Sequence, residues 1–196
     1  MKISELKKYA QSLKSYIIFS FLIFVFGILG GYFFAQNFPQ QTEEIMKQLQ
    51  SFFLSAKEDS SFDLFIFILE NNITNLLAIL ILGIFAGLIP LLAVFANGML
   101  LGVIACVISE KLSWSFLIAG ILPHGIFEIP ALVLSAAIGI HIGVVAVKKL
   151  FRQETKFINE FAEGLQFFIM VLIPIIFIAA LIETYVTTYM LSFFGA

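Results

Sequence analysis

His124 and Glu128 stand four residues apart in the stretch "GILPHGIFEIP", residues 120–130, which is otherwise made for hydrocarbon. Residues at that spacing share a face of a continuous helix, and a helix beginning at Gly125 would still hold them within one turn. An imidazole and a carboxyl so placed can bond each other, hold a proton or an ion, or supply two ligands to a metal. A carboxylate in hydrocarbon is costly, so Glu128 must be neutral, paired or in a wet cavity. Glu183, isolated after a 19-residue uncharged run, is the second such acid; it lies at the outer end of the last span or is buried in the bundle. Asn72, Asn75 and Asn97 can donate hydrogen bonds to these acids or simply join helices. His141 comes thirteen residues after Glu128, about 20 Å of helix, so the two cannot share a site within one chain.

A catalytic zinc needs three protein ligands and an open position, and its helical signature is H-E-x-x-H. Only His-x-x-x-Glu is present, so His124 and Glu128 are an incomplete metal set that Glu183, Glu70 or an asparagine would have to complete. Nothing supports serine, lysine or paired-aspartate catalysis, and no glycine loop is built for phosphate, so no cofactor is expected, and the enzymatic alternative left open is an intramembrane metal-dependent hydrolase built on His124 and Glu128. Two non-enzymatic readings stand beside it for His124, Glu128, Glu183, Asn72 and Asn97. They form a buried, hydrogen-bonded centre that steadies a helix break, or a site for an ion, proton or small solute like those that broken helices build in transporters.

The elements that carry these residues are set by composition. Hydrophobic residues make up 61% of the 196 and charged residues 12%, with a mean hydropathy of +1.05. A soluble domain is about half apolar and a quarter charged, so this is an integral membrane protein and a single membrane domain over 1–196. The apolar runs lack dyad alternation, which leaves an all-α polytopic transmembrane bundle and excludes a barrel. A net charge of −2 gives no reason to expect nucleic acid as a partner. Cys106, the single cysteine, reads as buried packing.

Residues 16–35 form an uncharged first span of membrane-crossing length. Residues 37–70 are acid-rich, and 42–54 shows helical spacing of Ile45, Met46, Leu49, Phe52 and Phe53 behind Thr42 as a cap. That amphipathic helix should lie on the membrane surface, fold over the bundle mouth, or serve a partner's groove. Residues 71–109 are uncharged and long enough for two crossings; a helix from 72 to 95, bent near Pro90, and a turn at Asn97-Gly98 are expected. Residues 114–122 are too short to span, so they read as a broken or re-entrant half-helix stopping at Pro123, with Pro123 and Gly125 forming the break. Residues 126–147 and a run from Gly164 past Glu183 complete five spans.

Eight of the eleven basic residues lie before the first span (Lys2, Lys7, Lys8, Lys14) or before the last (Lys148, Lys149, Arg152, Lys156). By the positive-inside rule the N-terminus is cytoplasmic, and the 37–70 segment and the C-terminus are extracytoplasmic. Four small-xxx-small pairs, Gly27/Gly31, Gly83/Gly87, Gly98/Gly102 and Gly139/Gly143, give tight packing faces for a compact bundle or a homo-oligomer. Trp114, Tyr185 and Tyr189 suit interfacial anchoring.

The order "ENNITNLLAILILGIFAG", "FANGMLLGV", "LPHGIFEIPALVLSAAIGIHIG", "IAALIETYVT" resembles the stage II sporulation protein M family over about residues 65–190. Its most specific element is Pro-His-Gly-x-x-Glu, and the matching positions are Asn72, Gly87, Asn97, Gly98, Gly102, Pro123, His124, Gly125, Glu128 and Glu183. The resemblance implies a multi-span protein of the cell membrane. In spore formers a member looks like the membrane partner of a peptidoglycan-remodelling complex that recruits a wall hydrolase; relatives outside spore formers, including archaea, have no established activity. A structural or recruiting component of a membrane complex, with the bilayer and other proteins as partners, is the function so implied.

Overall fold

The computed structural model describes residues 2–55, 60–111, 114–152, 156–187 and 189, and for residues 50, 52–55, 111 and 124 it describes the backbone alone. Among the described residues eight α-helices occur in the order α1 Ile3–Ser12, α2 Lys14–Asn37, α3 Pro39–Ser55, α4 Ser61–Ile81, α5 Leu88–Lys111, α6 Trp114–Leu150, α7 Phe157–Phe167 and α8 Ile173–Leu181. Short π-helical stretches, Phe168–Leu172 and Ile182–Thr187, continue α7 into α8 and α8 beyond, so 157–187 is one rod. Five segments among the described residues are long and apolar enough to cross a membrane: Lys14–Asn37, Ser61–Ile84, Leu88–Glu110, Gly125–Leu150 and Phe157–Thr187. The expected five-span helical bundle is what the chain forms.

The central element is α6. Of its apolar window 67% is buried, against 22–33% for the other four spans. Its inner run is built from small residues, with Ala131, Ser135, Ala136, Ala137 and Ile138 fully enclosed. Helices in lipid gain little by hiding apolar surface from each other, so contact depends on close packing, which small side chains allow. The outer faces instead carry large apolar side chains, such as Phe21, Phe26, Leu29 and Phe33 on α2, as hydrocarbon contact requires.

All four glycine pairs are used inside the chain. Gly27 and Gly31 of α2 meet the backbone of α5 around Phe95, Gly98 and Met99, and Gly102 meets Ile28 and Tyr32. Gly83 meets Gly139, and Gly143 meets Gly87, closing the end of α4 onto α6. Both contacts run parallel, as two helices separated by an odd number of intervening crossings must.

Three expectations need correction. The tight turn between the second and third spans is not at Asn97-Gly98, which lies inside α5, but at Phe85-Ala86-Gly87 after a 3-10 turn, with Ala86 and Gly87 at φ 56° and 72°. Pro90 then falls in the first turn of α5, where a missing N–H costs nothing. The polar segment also ends early: α3 begins at Pro39 with Thr42 buried inside it, and α4 already starts at Ser61, where the hydroxyl of Ser60 caps the Asp63 N–H. Ile45 and Met46 of α3 pack against Ala35, Val103 and Cys106, so this helix is folded over the ends of α2 and α5. The side chains of Phe52 and Phe53 lie outside the described residues.

The third correction concerns the break. α6 is helical from Trp114 to Leu150 with Pro123 and Pro130 inside it, so the short apolar piece Trp114–Pro123 leads into the span without leaving the helix. Each proline removes one amide donor and crowds the carbonyl four residues back, a cost of about 3 kcal/mol that a long membrane helix braced by neighbours absorbs. Gly125 is a buried helical residue in ordinary contact with Ile121 and Ile129.

A β-carbon at Gly98 or Gly139 would collide with backbone, whereas one at Gly30 meets nothing within 4 Å. Gly98→Val and Gly139→Val should each destabilise by at least about 1–3 kcal/mol, while Gly30→Ala should be neutral or stabilising by up to about 1 kcal/mol. Reversible unfolding in detergent micelles measures the contrast.

Candidate functional site

The glycine contacts fix how α4 and α6 align. Asn72 faces Glu128, Gly83 faces Gly139 and Gly87 faces Gly143, a constant offset of 56 residues along the seam. At that register the Asn72 Nδ2 donates to Glu128 Oε1 at 2.6 Å. One turn further along α4, the Leu76 carbonyl accepts from the buried Ser135 Oγ at 2.6 Å. Two polar clips therefore sit on one packed seam.

A third helix closes the site. Glu183, in the π-helical stretch Ile182–Thr187, lies beside Glu128, close enough for the two carboxyls to interact. Two carboxylates offer acceptors only, so such a pair can bond directly only by sharing a proton. A π-helix accommodates one more residue per turn than its surroundings, and such stretches recur at functional positions. Here it brings Glu183 to α6. Asn72, Glu128 and Glu183 are all half-buried, and they lie about 20 Å along α4 from the Phe85–Gly87 turn, nearer the acidic end of the bundle.

The other expected members fall elsewhere. Asn97 is exposed and its Nδ2 bonds the Ala93 carbonyl of its own helix at 2.9 Å, so it does not reach Glu128. Asn75 is exposed too. The backbone of His124 is on α6 one turn before Glu128, and its side chain lies outside the described set. Among the described residues no three His, Cys, Asp or Glu side chains gather as a metal set.

His141, too far along α6 to join Glu128, has a partner that spacing on its own helix does not reveal. Its Nε2 is 3.0 Å from Glu160 Oε2 at the start of the last span, and the Tyr16 ring stands edge-on to it at 5.1 Å. The signal in the sequence is an acid, Glu160, placed one short turn after the Lys148–Lys156 cluster, which brings it back beside the end of α6.

The fold and this centre define a polytopic helical membrane protein whose spans are joined through half-buried carboxyl and amide groups. Residues 20–188 match the Stage II sporulation protein M family, and the chain belongs to that family. It is 31% identical over 186 residues to an uncharacterized protein of Methanocaldococcus jannaschii, a match covering 90% of this chain and 98% of that one. No solved structure matches the chain.

Polar clips between membrane helices contribute about 0.6 kcal/mol on average and up to about 1.7 kcal/mol. Asn72→Ala and Ser135→Ala should each lower stability by an amount in that range, and Asn97→Ala by less than about 0.5 kcal/mol. Thermal melts of the three variants in one detergent give the ranking.

Proposed function

We propose that the protein works by association, as a membrane-embedded structural or recruiting component of a cell-envelope complex. The observation that carries this reading is that Asn72 bonds Glu128 and Glu183 lies against it, so that side chains from three different spans meet at one point and tie the acidic end of the bundle together. A surface presented to partners needs such a fixed frame. Family membership points the same way, because relatives in spore formers look like partners of wall-remodelling enzymes. In this reading the lysine-rich end faces the cytoplasm, and α3 with the acidic segment faces outward.

A second reading is favoured by the carboxyl pair itself. A shared proton between Glu128 and Glu183 is what a proton- or cation-coupled carrier would exchange. Two substitutions separate the readings. Glu128→Gln keeps an acceptor for Asn72 and a donor for Glu183 but cannot give up a proton; Glu128→Leu keeps neither bond. Association through a fixed frame requires the Gln variant to fold and to co-purify with partners like the wild type while the Leu variant loses both. Proton or cation flux into liposomes that the wild type supports and Glu128→Gln abolishes would transfer the assignment to transport.

The orientation has its own check. In intact cells a membrane-impermeant maleimide should label Glu44→Cys and spare Lys156→Cys; the reverse pattern would invert the topology.

A further inference from the structure

α4 crosses the membrane with polar side chains on the side turned away from the bundle. In the middle third of its span, Ser61–Ile84, Glu70, Asn71, Thr74 and Asn75 are all exposed. Glu70 is about 14 Å of helix from Ser61 and Asn75 about 14 Å from Ile84, so the group lies deep within a hydrocarbon layer of about 30 Å. Phe62 and Ile66 before it and Ile81 and Ile84 after it are exposed apolar residues, as lipid contact requires. None of the four polar side chains makes a hydrogen bond or ion pair among the described residues. Asn97, the exposed amide of α5, at least bonds its own helix. A carboxyl and amides left bare in hydrocarbon are costly, so a polar surface must cover them.

The four are arranged as in a helix that pairs with a parallel copy of itself. Asn71, Thr74, Ala78 and Ile81 repeat in steps of three and four, the spacing of a two-helix contact. That stripe points away from Asn72, Leu76 and Gly83, which hold α4 to α6. Glu70 and Asn75 flank it on its two sides. In a parallel pair the residue just before one stripe position, Glu70 before Asn71, meets on the opposite helix the residue just after the next, Asn75 after Thr74. An amide N–H then donates to a carboxyl, the same kind of bond that Asn72 makes to Glu128 on the other side of α4. Two-fold symmetry forms it twice, and it brings Asn71 to Asn71, each able to donate and accept.

We infer that this side of α4 is the contact between two copies of the chain, a parallel helix pair closed by hydrogen bonds between Glu70 and Asn75 and between the two Asn71 amides. Two copies in one membrane hold these groups at equal depth automatically, whereas an unrelated helix would need matching polar groups there. The glycine faces are spent inside the chain, so polar contacts rather than glycine packing join the copies. The inference needs the five spans but not the recruiting role, which requires only that some other protein binds.

The test uses the full chain in liposomes of phosphatidylcholine and phosphatidylglycerol. In a Cys106→Ala background, Thr74→Cys should cross-link to a dimer on oxidation with copper phenanthroline, and Leu29→Cys on the lipid side of α2 should not. Single-molecule photobleaching against lipid dilution gives the dissociation constant of the dimer. Glu70→Leu and Asn75→Leu should each weaken the dimer about 10-fold, because the bond they remove is made twice. The double variant should weaken it no further than either alone, since both changes break the same pair. Each substitution puts an apolar group where a bare polar one stood, so the thermal melt of the monomer should not fall. A wild type that is monomeric at every dilution hands this side of α4 to another protein and overturns the proposal. Equal cross-linking at positions 74 and 29, or an unchanged dissociation constant in both leucine variants, overturns it too.

Discussion

The structure depends on backbone touching backbone along α6. Apolar helices immersed in lipid have no water to escape, so their association rests on the dispersion energy of close contact and on a few hydrogen bonds. Glycines at 83, 87, 139 and 143 let α4 and its turn press against α6, and a second glycine set does the same for α2 and α5. A slip of one residue along that seam would move α4 by about 1.5 Å and turn its faces by about 100°. Asn72 would then point away from Glu128. Packing by residues without side chains is thus what places the chemistry of residues that have them.

Proline has a different weight here than in a water-soluble helix. Pro123 and Pro130 interrupt the hydrogen-bond ladder of α6 without ending it, and Pro174 comes two residues after a π-helical stretch in the last span. No water competes for the backbone in hydrocarbon, so leaving the helix would expose several polar groups where staying exposes one.

This explains which parts of the fold are legible in the residues alone. Charge-free length marks a span whatever packs on it, so the five spans and their glycine faces are visible. A break at Pro123 is what the rule for a helix in water predicts. A turn at Asn97-Gly98 comes from another such rule, since that pair punctuates soluble chains, whereas the real reversal uses Phe85-Ala86-Gly87 and shows only a glycine. Asn72, Glu128 and Glu183 stand out because each is a polar side chain in a run made for lipid. Which of the three asparagines reaches Glu128 is decided by helix register, which one sequence does not display. His141 and Glu160 are hidden for a related reason: nineteen residues and a loop separate them, and only the return of the last span makes them neighbours.

The wide helical stretch that delivers Glu183 has a dynamic corollary. It holds a surplus residue relative to an α-helix, and expelling that residue would rotate the remainder of the span by roughly 100° with hardly any movement along the axis. The direction of the Glu183 carboxyl therefore hangs on that one added residue: in a span that was α-helical throughout, it would turn away from Glu128.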